Sequence, residues 1–481
     1  MAPVCASLLG GLFGIACLAL GACSSVPYAP RPIDADASAA EYRARSAQAD
    51  GLKAFAVANG YAGADWPPAQ WGLKELTLAA WYFHADMRDA RARAKVARAQ
   101  QGAAGTRRSW FGRLKPERHS RAQADDDSPW SLGLELEIPL VAPGRRAALA
   151  ERNAFLASAA EIDVAQAAWE VRARVRDSHD ELQASRSAIQ TFDAQIEERK
   201  NIIAMVNRRV DVGILSAREL GTERYLFAQL VNLRDQQLGA YQRAQGNLAA
   251  ALGLPLDALT GVNLRPPAEA MPDTDLAADA LRRQALRNRL DVHRKLLEFG
   301  AADAEVKQAV AAQNPEITLG PGYAWDQGDN IWSLALGLSL PPAAQAQAAI
   351  REALARRELA AEQFAATQIA AIQRAEGAGA QYQLARERIA SAQLQMREQQ
   401  EQEARVLRQF DAGAADRLQR VVARIDALTA HMQYQSVLAD ARQALAQLED
   451  ALQRPLLGDF EVLPEIGESP SRSKNKANVE P

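Results

Sequence analysis

Trp130-Ser131-Leu132-Gly133-Leu134-Glu135-Leu136-Glu137-Ile138-Pro139 is a stretch in which every second residue is apolar, and Trp332-Ser333-Leu334-Ala335-Leu336-Gly337-Leu338-Ser339-Leu340-Pro341 repeats it. Alternation with a period of two predicts a β-strand with one apolar side and one polar or small side. A tryptophan stands at the start of the apolar side in both copies. Because the same construction occurs twice, we interpret the chain as an internal duplication.

A long helix-like run without proline follows each predicted strand. The runs extend from Arg145 to Val212 and from Ala343 to Ala412, and each ends at a glycine. At 1.5 Å per residue, each helix would be roughly 100 Å long and must pack lengthwise against other helices. A second helix then returns to a proline stop. The stops are the related segments Leu252-Gly253-Leu254-Pro255-Leu256 and Leu452-Gln453-Arg454-Pro455-Leu456.

The length of the alternating stretches suits a membrane. It matches the 9 to 11 residues with which a tilted strand crosses a bilayer, and a terminal Trp suits the interface. A partner strand is expected from Ile317 to Trp325, before a loop at Asp326–Asn330. A further strand is expected near Ser109–Lys115, before the polar loop 121–128. Since an open sheet edge in lipid leaves backbone groups unsatisfied, either several chains share a barrel or the sheet caps a soluble stalk.

The amino terminus predicts an exported lipoprotein. Residues 1–22 are apolar and uncharged, and they end in Leu20-Gly21-Ala22 before Cys23. This resembles the lipobox of bacterial lipoproteins, which implies removal of the signal and lipidation of Cys23. Ser24 implies transfer to the outer membrane by the same resemblance. A retained membrane anchor is the alternative. All three cysteines lie in this segment, so a disulfide or a cysteine metal site is not expected.

Composition excludes several classes of function. A net charge of −3, with both signs interspersed, offers no basic surface for nucleic acid. We find no motif for a nucleophile, a phosphate loop, zinc or a dinucleotide, so neither enzymatic activity nor a cofactor is expected. The histidines lack metal-ligand spacing, so no metal site is predicted; they are His84, His119, His179, His293 and His431.

The predicted organisation has six parts. They are a signal peptide at 1–22, a lipid-anchored extended tether at 23–65, a first repeat at 66–257, a proline-rich connector at 258–275, a second repeat at 276–457 and a disordered tail at 458–481.

From about Gln70 to Leu457, the chain resembles the outer-membrane efflux protein family, the TolC-like channels. The segments that carry the resemblance are Trp71–Leu76, Ala90–Ala94, Ile138–Leu140, Gly144–Arg146, Val212–Ser216, Glu219-Leu220 and Asn314–Ile317. The resemblance implies a mainly α fold with a small β part, in which a homotrimer forms a twelve-stranded outer-membrane β-barrel on a periplasmic α-barrel. It also implies an exit duct that binds a periplasmic adaptor and serves an inner-membrane transporter.

The helix-hairpin tips would form the periplasmic entrance of such a duct. The candidates for adaptor docking are Val212, Gly213, Ser216, Arg218, Gly413, Asp416 and Arg417. Charged residues at the same end either gate the entrance through ion pairs or form a solvated face; they are Arg208, Arg209, Asp211, Arg405, Arg408 and Asp411. The two glycines also have a structural reason, since a left-handed helix exit favours glycine. The second tip lacks the Val and Ser of the first, so unequal roles are expected.

The cargo is less well specified. The segment Gly320–Ser333 is similar to the hairpin of family members that accompany heavy-metal efflux pumps, so heavy-metal ions or drugs are the expected substrates. The alternative function is a structural coiled-coil lipoprotein without a pore. Sustained heptads through both long helices would favour that alternative. The abundance of alanine and the interruption of the pattern at Gly377 and Gly379 favour mixed helix packing with a polar lumen face.

Overall fold

A computed structural model describes residues 28–457 except 62, 64–65, 107–108, 121–128, 141–142 and 270. The predictions for the signal peptide, Cys23, loop 121–128 and tail 458–481 therefore lie outside the described residues. The chain divides into two units, Met1–Arg45 and Ser46–Pro481. In the first unit, helix α1 (Ala35–Arg43) begins after Asp34, whose carboxylate accepts hydrogen bonds from the backbone N–H groups of Asp36 and Ala37.

The second unit contains most of the secondary structure. Its helices are α2 (Asp50–Ala58), α3 (Leu73–Phe83), α4 (Ala85–Ala104), α5 (Pro143–Asp211), α6 (Ala217–Leu252), α7 (Ala278–Asn288), α8 (Leu290–Ala311), α9 (Ala343–Asp411) and α10 (Arg417–Leu452). Its strands are β1 (Phe111–Arg118), β2 (Trp130–Leu140), β3 (Glu316–Asp326) and β4 (Asp329–Ser339). None of the helices within the described ranges is long and apolar enough to cross a membrane.

The predicted duplication is confirmed. Helices α5 and α9 have 69 residues each, and the returning helices α6 and α10 have 36 residues each. In each repeat two shorter helices precede a pair of antiparallel strands: α3 and α4 precede β1 and β2, and α7 and α8 precede β3 and β4. The repeat is therefore equal in length as well as in order.

The predicted extended tether is wrong for two segments of 23–65. Helix α1 forms after an aspartate cap in an alanine-rich run, and such a cap satisfies free N–H groups of the first turn. Helix α2 buries Leu52 and Ala56 against α3. The proline-rich character of the segment therefore does not extend to these helices.

The helices form a wall that is four helices wide. Near the sheet the order is α4, α5, α8 and α9, and near the hairpin tips it is α6, α5, α10 and α9. The sheet end is connected by ion pairs such as Lys307–Glu151 at 2.8 Å and Arg357–Asp303 at 3.2 Å. Since α5 and α9 run through both halves, each long helix has different neighbours along its length.

The hydrophobic core lies where the short helices pack on the middle of α5. Trp81, Met87, Trp169 and Leu252 are buried there. The Trp81 indole N–H donates to the Ala168 carbonyl at 2.9 Å, so this large side chain is satisfied as well as packed.

Helix α9 continues through Gly377 and Gly379, which confirms the long helical run predicted from Ala343. A Cβ atom at Gly379 would lie 2.5 Å from Cδ1 of Leu281 in α7. This glycine therefore permits close packing between two helices and does not end one. Gly377 has open space at its Cβ position.

A buried ion network joins α5 to α10. Arg172 and Arg176 each approach a carboxylate oxygen of Glu449 to 3.2 Å, and Arg176 also pairs with Asp450 at 2.9 Å. The second Glu449 oxygen accepts the backbone N–H of Leu456 at 2.7 Å. The network therefore fixes the end of the second repeat against the first long helix.

Asp180 lies beside this network on α5. Burial raises the pKa of Asp180 from its ordinary value to about 6, and the like charges of Asp177 and Glu449 act in the same direction. The positive charges of Arg442 and Arg176 oppose that increase. Burial also lowers the pKa of the neighbouring His179, so burial acts against the charged form of both side chains.

The two repeats end differently. Gly253 has a φ of +69°, and a Cβ atom there would lie 3.0 Å from the backbone of Phe83 and His84. Gln453 takes the same left-handed position with a φ of +46°. Its side-chain oxygen accepts the Leu290 N–H at 2.6 Å, so this glutamine caps α8.

Candidate functional site

The four strands form one antiparallel sheet in the order β1-β2-β3-β4. The strand expected near Ser109–Lys115 is confirmed, although it runs through Pro116 to Arg118. Pro116 is compatible with this strand because β1 is an edge strand of the sheet. The expected loop at Asp326–Asn330 is shorter than predicted, since Gln327 and Gly328 alone connect β3 to β4.

Cross-strand pairing places the apolar residues of all four strands on one side. The pairs Leu114↔Leu134, Leu134↔Tyr323 and Tyr323↔Trp332 continue this side across the whole sheet. Its side chains are exposed in the single chain, with Trp332 at 80% and Leu336 at 70% of their full accessible surface. A continuous exposed apolar face of this kind marks a contact with lipid or with another protein.

The opposite side of the sheet carries polar and small side chains that lie close together. Glu135 pairs there with Arg113 at 3.2 Å and with Lys115 at 4.0 Å. Glycine replaces larger side chains where the strands crowd, because a Cβ atom at Gly320 would lie 3.1 Å from that of Ala335. Crowded, small residues are expected on the inner side of a curved sheet, where interior side chains share less space.

The first hairpin tip joins α5 to α6. Gly213 leaves the helix with a φ of +74°, and the backbone N–H of Ile214 donates to the Arg209 carbonyl at 2.8 Å. Ser216 then caps α6 in a reciprocal arrangement with Glu219. Val212 and Ile214 are 69% and 70% exposed, so the tip presents apolar side chains to the outside.

The second hairpin tip has the same backbone. Gly413 also has a φ of +74°, and the Ala414 N–H donates to the Gln409 carbonyl at 2.7 Å. Asp416 and Gln419 form the equivalent capping box. The sequence difference between the tips therefore changes their side chains and leaves their geometry unchanged.

An apolar cluster and one ion pair hold the two tips together. Ile202, Met205 and Val206 of α5 are buried with Leu220 of α6 and Val421 of α10. Below this cluster, the Arg209 guanidinium lies 3.6 Å from the Asp416 carboxylate of the other hairpin. One predicted gating residue is thus paired with one predicted docking residue.

The other predicted gating residues do not form such a link among the described residues. Arg405 contacts Glu401 at 3.7 Å within its own helix, and Asp211 accepts a hydrogen bond from Asn207. For Arg208, Arg408 and Asp411, the described part of the chain shows no ion pair between the hairpins. Arg218 and Arg417 are exposed at the starts of α6 and α10.

Sequence reasoning missed two features of this region. Ile214 is as exposed as Val212 but was not a docking candidate, although its position beside Gly213 indicates the tip. The buried Arg176–Glu449 pair was also missed, since its members are 273 positions apart. Within the residues described, His, Cys, Asp and Glu form no group of three or more that could hold a metal ion.

Comparison with known proteins relates this hairpin geometry to a protein family. Residues 281–453 match the family model described as outer membrane efflux protein. The second repeat is an outer membrane efflux protein domain. The first repeat lies outside the matched residues but has the same helix lengths and tip geometry as this efflux protein domain. Among curated protein sequences, none matches the chain.

Solved structures of outer-membrane channels share the fold. The channel OprN is 19% identical, with a TM-score of 0.65, and the likeness covers 90% of this chain and 100% of OprN. VceC from Vibrio cholerae is 18% identical, with a TM-score of 0.64, over 80% of this chain and 97% of VceC. MtrE from Neisseria gonorrhoeae, in its open state, is 16% identical, with a TM-score of 0.63, over 80% of this chain and 89% of MtrE. The efflux-channel fold therefore extends over both repeats.

Proposed function

We propose that this protein is the outer-membrane exit duct of a tripartite efflux system. The observation that carries the proposal is the exposed apolar side of the sheet, which continues across all four strands above a wall of parallel and antiparallel helices. A lipid-facing band and a helical passage are the two parts that such a duct requires. In this function the chain conducts substrate passively and catalyses no reaction.

We propose a homotrimer, and the edges of the chain support closure by further copies. The sheet ends at β1 and β4 with unpaired edges, and each would be costly inside lipid. The wall likewise ends at α6 and α9, where large apolar side chains are exposed. They include Tyr225, Leu233, Ile369, Leu384 and Leu394. A neighbouring copy that pairs β1 with β4 and α6 with α9 would cover both kinds of edge and close the barrel.

The position of the long helices at one end of the sheet also supports an orientation for the duct. Both long helices leave the same end of the sheet, so that end faces the periplasm and the β3–β4 turn faces outside. The hairpin tips then lie at the far periplasmic end. We propose that Val212, Gly213, Ser216 and Arg218, with Gly413, Asp416 and Arg417, receive the periplasmic adaptor of an inner-membrane transporter.

Membrane attachment has a second proposed element. Cys23 would carry lipid after removal of residues 1–22, which keeps the amino terminus at the outer membrane. A Cys23→Ser variant should retain its signal or lack the lipid, and the mass of the mature protein measures both. A mature mass that equals that of the wild type would remove the lipid anchor from the proposal and leave the duct in place.

For the cargo, we propose heavy-metal ions or drugs, on the resemblance of the Gly320–Ser333 hairpin. The passage has no requirement for a bound metal in this role, because the ions would be transported substrate. A plate assay of resistance to metal salts and to drugs, in cells that lack their own duct, separates the two classes.

The experiment for the function is single-channel recording of the purified protein in a planar bilayer. Discrete conductance steps are expected, since water must fill the passage between the polar side of the sheet and the hairpin tips. A closed resting entrance would reduce them, so the Asp416→Asn variant is recorded in parallel. Absence of steps from both proteins would contradict the duct and favour a structural strut without a pore.

A further inference from the structure

The apolar side of the sheet contains one charged residue among the described strands. Arg118 pairs with Trp130 across β1 and β2, so its side chain shares the side of Leu132, Leu134 and Leu136. Every other charged residue of the described strands lies on the polar side; these are Arg113, Lys115, Glu117, Glu135, Glu137, Glu316, Asp326 and Asp329. A lone cation on a lipid-facing surface requires an explanation, because an unpaired charge in hydrocarbon is costly.

The position of Arg118 removes that cost. It is the last residue of β1, at the end of the sheet opposite the long helices, and its guanidinium carbon lies 5.8 Å from the centre of the Trp130 ring. Trp325 and Trp332 lie on the same side near the same end. Aromatic residues in this arrangement mark the level of the lipid headgroups. Arg118 therefore lies at the interface and not in the hydrocarbon.

We propose that Arg118 binds the phosphate of an anionic lipid headgroup in the outer leaflet, with the Trp130 ring as its support. A guanidinium donates two parallel hydrogen bonds to phosphate oxygens and also stacks on aromatic faces. The cations on the polar side cannot take this role, because Arg113 and Lys115 face away from lipid and pair with Glu135. This inference rests on the proposed function, since it requires the apolar side to contact a bilayer.

Native mass spectrometry of the purified protein tests the proposal. Wild type, Arg118→Gln and the control Arg113→Gln are released from detergent micelles that contain phosphatidylglycerol or, separately, the net-neutral phosphatidylcholine. Wild type and Arg113→Gln should retain several times more phosphatidylglycerol than Arg118→Gln, and retention of phosphatidylcholine should be equal in all three. Arg113→Gln is a matched control because it removes the same charge from the same strand on the other side.

Equal retention of phosphatidylglycerol by wild type and Arg118→Gln would overturn the inference. Displacement of the lipid by millimolar inorganic phosphate would also overturn it, since it would indicate a site for the free ion. Channel recordings of the same samples distinguish failure of the headgroup contact from failure of the proposed duct. Conductance with equal lipid retention rejects the headgroup contact alone, whereas absence of conductance and of bound lipid rejects the duct as well.

Discussion

Arg209 of the first hairpin and Asp416 of the second lie 3.6 Å apart, and they connect the two tips within one chain. Both side chains are about half exposed, so the pair is worth about 0 to 1 kcal/mol. A pair of this strength can bias two arrangements of the tips without locking either one.

Replacing Asp416 by Asn should loosen the entrance. Asparagine keeps the cap of α10, because its side-chain oxygen also accepts a backbone N–H, and only the charge is lost. Open-channel events should become more frequent by up to about fivefold, the change that corresponds to 1 kcal/mol. The measurement is open probability in a planar bilayer. Asp211→Asn serves as the control, since Asp211 bonds within its own helix; an equal effect of both variants would contradict a specific latch.

The Gly213→Pro variant should abolish efflux while the trimer persists. Proline cannot adopt a φ of +74°, and it lacks the N–H that bonds to the Val210 carbonyl at 2.9 Å. The long helices lie outside this change, so assembly measured by native electrophoresis should equal that of the wild type. Drug or metal accumulation in cells measures efflux.

The same substitution at Gly413 compares the two tips. Because their backbones agree, Gly413→Pro should distort the second tip to the same extent. Unchanged efflux in Gly213→Pro cells would remove the first tip from adaptor docking. Loss of efflux in only one of the two variants would show that the side chains, and not the backbone, set the roles of the tips.

Leu136→Arg should prevent membrane insertion. Leu136 lies in the middle of the apolar side of β2, where an arginine costs roughly 2 to 4 kcal/mol in a bilayer. Glu137→Arg is a matched control, because it places the same side chain at the next position but on the polar side. The measurement is the amount of heat-resistant oligomer in outer-membrane fractions. Normal amounts from Leu136→Arg would contradict a lipid-facing role for this side of the sheet.

Asp180→Asn should stabilise the protein at neutral pH. The folded-state pKa of about 6 is above the ordinary value of 3.8, so the folded chain holds this proton more tightly than the unfolded chain does. The ionised carboxylate therefore opposes folding most strongly above pH 6. This penalty declines as the pH falls from the folded-state pKa towards the ordinary value of 3.8, and it is lost below that value. Asparagine should raise stability at pH 7.5 by about 1 to 3 kcal/mol and have little effect at about pH 3.5.

Thermal unfolding at the two pH values measures this effect. Asp177→Asn is the comparison variant: Asp177 is exposed on the same helix and adds only a like charge to the surroundings of Asp180, so its effect should be smaller. A lower melting temperature for Asp180→Asn at pH 7.5 would show that the attraction of Arg442 and Arg176 exceeds the cost of burial.

Local pattern was sufficient to predict the strands and the long hairpins. Trp130–Ile138 alternates because its apolar side chains all lie on one side of the sheet, and a run without internal proline permits a helix of 69 residues. The strand β1 was harder to bound, since its alternation includes Arg118 and Pro116. Its place depends on pairing with β2, which no local pattern encodes.

Contacts between segments that are distant along the chain could not be predicted from the sequence. Arg209 meets Asp416 only because the two hairpins pack side by side through Val206 and Val421. From the sequence alone, Gln453 is a less suitable residue than Gly253 for a left-handed helix end. Its function is visible only in the structure, where its side-chain oxygen accepts the Leu290 N–H. In the sequence Gly379 only interrupts a heptad pattern, whereas its role in packing depends on a side chain of α7.

Single-particle imaging of the protein, extracted from membranes in mild detergent, tests the central claim most directly. The shared barrel and the helical wall predict a threefold hollow tube, with a detergent belt around the end that contains Trp130 and Trp332. A slender solid rod without a detergent belt would contradict the duct, because the exposed apolar side of the sheet would then face neither lipid nor a channel wall.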